Sequence, residues 1–142
     1  MELTDIQSKL NEIPFINAGG CAIASLVMYR WLKKENKLTG NEKFIYLYRY
    51  ETGEYFQNQK ALEDYSIIPT SASHICLYYG GIYIDSEGSI FPDNWQYSME
   101  IEPGDFIIRS INNVDDWNSC FKRSNILPLI EELEIEFDDV LI

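Results

Sequence analysis

The sequence predicts an α+β fold, and three observations predict it. A helix that is apolar on nearly every side stands near the amino end, a group of strands that read as antiparallel follows, and helical patterning returns in the carboxy-terminal third. Helices and strands are segregated along the chain rather than alternating as βαβ units, so the apolar helix has to bury itself against an antiparallel sheet. With 142 residues and 46% hydrophobic content, the chain suits one domain over residues 1–142 with no linker.

The elements follow in order. Leu3, Ile6, Leu10 and Ile13 recur at helical spacing after Thr4-Asp5, which predicts a short amphipathic helix ending before Pro14. Phe15-Ile16-Asn17-Ala18-Gly19-Gly20-Cys21 is a loop whose paired glycines permit a sharp bend or a close backbone approach. From Cys21 to about Glu35, Ala22, Ile23, Ala24, Leu26, Val27, Met28, Trp31 and Leu32 mark the buried helix. Lys33, Lys34 and Lys37 cluster where its carbonyl end falls and complement the helix dipole; Gly40 marks the exit. The β-branched and aromatic run Phe44 to Tyr50 predicts a strand, while residues 54–72 are ambiguous, with a short helix around Gln59 to Tyr65 as one option. His74 to Tyr79 and Ile82 to Asp85 flank Gly80-Gly81, a pair able to take both left-handed positions of a two-residue hairpin turn. Phe106 to Arg109, after Pro103-Gly104, reads as a further strand, and Asp115 to Lys122 and Leu129 to Phe137 read as helices.

Charge narrows the function. Twenty-three acidic residues against 11 basic ones give a net charge of -12, which repels nucleic-acid phosphates and anionic headgroups and argues against direct nucleic-acid or membrane binding. Glu131 to Ile142 carries six carboxylates and no cation, which reads as a solvated helix face or tail. Cysteines 21, 76 and 120 are odd in number and widely spaced, so no disulfide framework and no metal or redox pair is expected. The start Met1-Glu2-Leu3-Thr4-Asp5 lacks a signal-peptide pattern, and the expected location is a reducing cytoplasm. No phosphate loop or dinucleotide fingerprint is present, and no cofactor is expected. Ser71 and Ser73 lack the elbow motif of serine hydrolases.

The candidate chemistry centres on Cys21. A thiol at the amino end of a helix meets free N–H groups and the positive dipole end, both of which favour the thiolate. The glycines before it leave the sulfur unshielded, its own N–H suits a developing oxyanion, and Asn17, four residues upstream, offers a second donor. The chain holds one histidine, so thiol–imidazole catalysis requires His74. Counting back from a Gly80-Gly81 turn pairs Tyr79 with Ile82 and sets Cys76 opposite Asp85 and His74 opposite Glu87. His74 and Asp85 are then diagonal neighbours on one face, about 7 Å apart along the backbone, within reach of an imidazole–carboxylate hydrogen bond. Asp85-Ser86-Glu87-Gly88 also fits a tight turn, which would carry Glu87 off the ribbon and favour Asp85 as the orienting group; Asn94, beside Trp95, is a further candidate. Cys76 and Cys120 read as packing residues.

A glycine-preceded cysteine opening a buried helix, followed by a strand-starting histidine and an aspartate after a hairpin, resembles the papain-like and transglutaminase-like cysteine hydrolases. The resemblance covers roughly residues 15–95. It implies a papain-like core, with Cys21 as nucleophile, His74 as base, Asp85 as third member and Asn17 near the usual oxyanion side chain. It also implies an acyl-thioester intermediate and a peptide or protein substrate cut at a peptide, isopeptide or side-chain amide bond. The other reading of the same chain is a non-enzymatic acidic protein on such a scaffold that binds or blocks a basic partner surface.

Overall fold

The computed structural model of the chain describes residues 1–17, 20–48, 74–91, 97–107 and 121–136. Among them are four helices, α1 (Leu3–Asn11), α2 (Cys21–Lys34), α3 (residues 103–107) and α4 (Arg123–Leu133). They accompany five strands, β1 (Lys43–Tyr48), β2 (His74–Tyr79), β3 (Ile82–Asp85), β4 (Gly88–Ile90) and β5 (Tyr97–Ile101). The strands form one sheet in the order β4-β3-β2-β1-β5, antiparallel throughout. The architecture is α+β, with a helix toward the carboxy end.

Local chemistry explains most of these boundaries. α1 opens with a capping box in which the Glu2 N–H donates to Asp5 Oδ2 at 2.7 Å, and it buries Ile6 and Leu10. α2 runs to Lys34 and stops where Asn36 turns left-handed (φ 56°), so that the Lys37 N–H closes back on the Leu32 carbonyl at 2.9 Å. At the β2–β3 turn, Gly80 (φ 60°) and Gly81 (φ 83°) both occupy the left-handed region, and Tyr79 pairs with Ile82. The hairpin thus forms in the register expected for it.

Strand alternation gives the sheet two faces. Phe44, Tyr46, Ile75, Leu77, Ile84 and Ile101 join the main core with Ile23, Leu26, Val27 and Met28 of α2 and with Ile6 and Leu10 of α1. Ile45, Leu47 and Cys76 form a smaller buried cluster on the other face, flanked by Tyr78, Tyr83 and Ile90. α4 adds Ile126, Leu129, Ile130 and Leu133 to the main core. It is tied to α2 by the Lys34 ammonium, which donates to the Leu133 carbonyl at 2.6 Å.

Three expectations change. Phe106 and Ile107 are helical, not extended: Pro103 fits the first turn of α3, the Phe106 N–H donates to the Glu102 carbonyl at 2.9 Å, and the Phe106 ring stacks on Phe44 with centroids 3.7 Å apart. Burial against Phe44 and Tyr46 outweighs the β propensity of that run. The last helix begins at Arg123 rather than Leu129 and passes through Pro128, then ends at Leu133 with Glu134 left-handed (φ 52°) as its cap. β4 and β5 are additional strands that extend the sheet on both sides. The expected helices around Gln59 to Tyr65 and Asp115 to Lys122 fall outside the described residues, except for Phe121 and Lys122, which precede α4.

Candidate active site

Cys21 is the first residue of α2 and half-buried, with Gly20 as the N-cap. Gly20 is required by contact rather than by its backbone angles. A Cβ there would stand 2.7 Å from the Ile16 carbonyl oxygen and 2.8 Å from the Phe121 ring, closer than real Cβ atoms approach. The close approach expected of the glycine pair is present at Gly20, and it packs the residue before Cys21 against Ile16; Gly19 lies outside the described residues.

His74 opens β2, and the first turn of α2 is fastened beside it. The buried Ser25 hydroxyl lies 3.0 Å from the Cys21 carbonyl and 3.4 Å from the Ile75 carbonyl, so one side chain links the helix start to the strand start. His74 Nε2 and Asp85 Oδ2 are 2.9 Å apart, with the two side chains 13% and 8% exposed. A carboxylate only accepts, so Nε2 carries the proton. The Cys21 side chain lies close enough to the ring to help raise its pKa. With Nε2 committed to Asp85, Nδ1 is the nitrogen left for the sulfur.

These contacts set the charge of the ring. Burial by itself would lower the His74 pKa; the hydrogen bond to Asp85, then the nearby Cys21 side chain, and the charges of both outweigh burial and raise it from 6.5 to about 9. The site therefore holds an imidazolium at neutral pH.

Asp85 ends β3, and every acceptor it has is used. Oδ2 faces His74, Oδ1 accepts the Glu87 N–H at 2.8 Å, and the backbone carbonyl accepts Gln7 Nε2 at 3.0 Å. Asp85 pairs with Gly88 (φ 126°) across a turn made of Ser86 and Glu87, which leaves Glu87 exposed and off the ribbon. Asp85 is therefore the carboxylate that meets the ring. Asn94 falls outside the described residues.

Asn17 sits against that same turn. Its Oδ1 accepts the Ser86 hydroxyl at 3.2 Å, and its Nδ2 faces Glu87 Oε1 at 3.5 Å. Cys76 is fully buried on the opposite sheet face from Ile75 and Leu77, and burial, with the Asp85 and Cys21 charges added, raises its thiol pKa strongly; it stays a thiol. Cys120 falls outside the described residues. Among the described residues no group of three or more His, Cys, Asp or Glu is placed to hold a metal ion, and no helix is long and apolar enough to cross a membrane.

Sequence reasoning missed three supporting residues, Gln7, Ser25 and Ser86, all buried polar. A signal existed for two of them: Gln7 and Ser25 are polar residues on the buried sides of apolar helices, where an unpaired polar group is costly and a specific partner is implied.

No protein-family model, curated protein or solved structure matches the chain. The site is read from its geometry.

Proposed function

We propose that the protein is a thiol-dependent hydrolase, a cysteine peptidase, isopeptidase or amidase, with Cys21 as nucleophile, His74 as acid and base, and Asp85 as the group that orients and charges the ring. The observation that carries this reading is the His74 imidazole hydrogen-bonded to the Asp85 carboxylate through Nε2, at the start of a strand that Ser25 ties to the first turn of α2.

In the reaction the Cys21 thiolate adds to the amide carbonyl carbon, and the carbonyl π electrons move to oxygen. The backbone N–H of Cys21 at the start of α2, which has no partner within the helix, is available to that oxyanion. Collapse of the tetrahedral species breaks the C–N bond, and the leaving nitrogen takes its proton from the imidazolium, giving an acyl-thioester and a neutral ring. Water then adds as His74 takes its proton, and expulsion of the thiolate releases the carboxylic acid. The ring is an imidazolium at the start of the cycle, which suits its first task as an acid toward the leaving amine. A papain-like or transglutaminase-like core remains the architecture this chemistry suggests. The net charge of -12 favours substrates in peptides or proteins over nucleic acids or membranes.

The test is competitive labelling with limiting iodoacetamide, read by peptide mass mapping. Cys21 is expected to react at least about tenfold faster than Cys76 or Cys120, and His74→Ala to remove that advantage. Labelling confined to Cys76 or Cys120 overturns the reading.

A further inference from the structure

The nucleophile and the acid that charges its histidine lie on different elements, α2 and β3, and the Asn17 side chain joins the loop before Cys21 to the turn after Asp85. The Ser86 hydroxyl is buried, with the residue 3% exposed, and it donates to Asn17 Oδ1 at 3.2 Å. The Glu87 carboxylate, which only accepts, sets which way the Asn17 amide points. Oδ1 is turned to Ser86, and Nδ2 is turned to Glu87 Oε1 at 3.5 Å, the weaker of the two arms. Nδ2 carries two N–H donors, and an amide serving an oxyanion would turn one of them toward the reacting carbonyl. Its two arms here both end on the turn Asp85-Ser86-Glu87-Gly88, whose first residue holds His74. On the other side of Asn17, the Ile16 backbone is pressed against Gly20, the residue before the nucleophile.

We infer that Asn17 is a positioning residue: a clasp that, through Ser86 and Glu87, holds the loop of Cys21 in register with the turn of Asp85, so that the sulfur and the carboxylate meet the same imidazole. The inference rests on the hydrolase reading of the site. It gives Asn17 a task in the resting enzyme, before any carbonyl is present, whereas an oxyanion donor acts only once a carbonyl has been attacked.

Alkylation by iodoacetamide separates the two roles, because the sulfur displaces iodide at a saturated carbon and no oxyanion forms there. For a clasp, Asn17→Ala and Ser86→Ala each slow Cys21 alkylation by about tenfold, the loss expected from a small misplacement of reacting groups. The double variant is then no slower than the slower single one, because both remove the same link. His74 is the single histidine of the chain, so its titration can be followed by NMR without assignment; its midpoint falls below that of the wild type in each variant as its contacts loosen. Asn17 is exposed, so Asn17→Ala is expected to keep the wild-type urea midpoint at about pH 10, above the titration of the ring, where a loosened site is distinguished from a loosened fold. Wild-type alkylation and titration in Asn17→Ala overturn the clasp and leave the hydrolase standing. A wild-type protein in which Cys21 is not the fast cysteine overturns both.

Discussion

The imidazole of His74 hydrogen-bonds Asp85 and is near Cys21, both of which favour its charged form, and that arrangement gives its protonation a measurable signature. Its folded pKa of about 9 lies above the ordinary 6.5, so the folded state binds the proton more tightly than the unfolded state does. The stabilisation is fully present below pH 6.5 and is lost as pH rises through about 9; the interval corresponds to roughly 3 kcal/mol at most. Urea unfolding between pH 6 and 10 is expected to show this loss in the wild type and not in His74→Gln. Asp85→Asn keeps an acceptor for Nε2 but removes the charge, and the NMR midpoint of His74 is expected to fall by roughly 1–2 pH units; an unchanged midpoint would show that Asp85 does not charge the ring. The fall also predicts the high-pH limb of any amide hydrolysis, which follows loss of the imidazolium and shifts down with it. At this scale the meeting of His74 with Asp85 could be read from the sequence, because a two-residue glycine turn fixes the pairing of everything behind it. Gln7, Ser25 and Ser86 could not be assigned partners, because each bonds a group far away in the chain or across an unread turn.

Among the elements, the junction between the amino-terminal loop and α2 is the most constrained. Gly20→Ala would drive a Cβ into the Ile16 carbonyl and the Phe121 ring, and the backbone oxygen cannot rotate away as a side chain can. We expect a loss of about 1–3 kcal/mol in urea unfolding together with slower Cys21 alkylation; a variant as stable and as reactive as wild type would refute the contact. The elements also separate by how visibly they are encoded. α2 and the β2–β3 hairpin are signalled by long apolar periodicity and by left-handed glycines, and both appear in place. β4 is three residues long, too short for alternation to show, and β5 alternates Tyr97, Met99 and Ile101 with Ser98 and Glu100 over only five. α3 runs against its own propensity because an aromatic stack with Phe44, a tertiary contact, decides its conformation. The start of α4 is hidden by Pro128, which reads as a boundary and is instead carried inside the helix.

Across the whole molecule, a net charge of -12 on 142 residues means that the folded state carries its own repulsion. Raising NaCl from about 10 mM to about 150 mM shortens the Debye length severalfold and is expected to raise the melting temperature, whereas a fall would show that attractive ion pairs outweigh the repulsion. The exposed pairs that exist, such as Lys9 with Glu132 and Lys43 with Glu102, are of the kind that contributes little when screened.

The ring of Phe121 against Gly20 has a consequence for biosynthesis. Ribosomes make chains from the amino end, so Gly20 and Cys21 emerge long before the ring that packs on Gly20 and before α4, which closes over α1 and α2. A nascent chain halted short of Phe121 would lack that ring against Gly20, and the loop before Cys21 would reach its final packing only after Phe121 and α4 had been made.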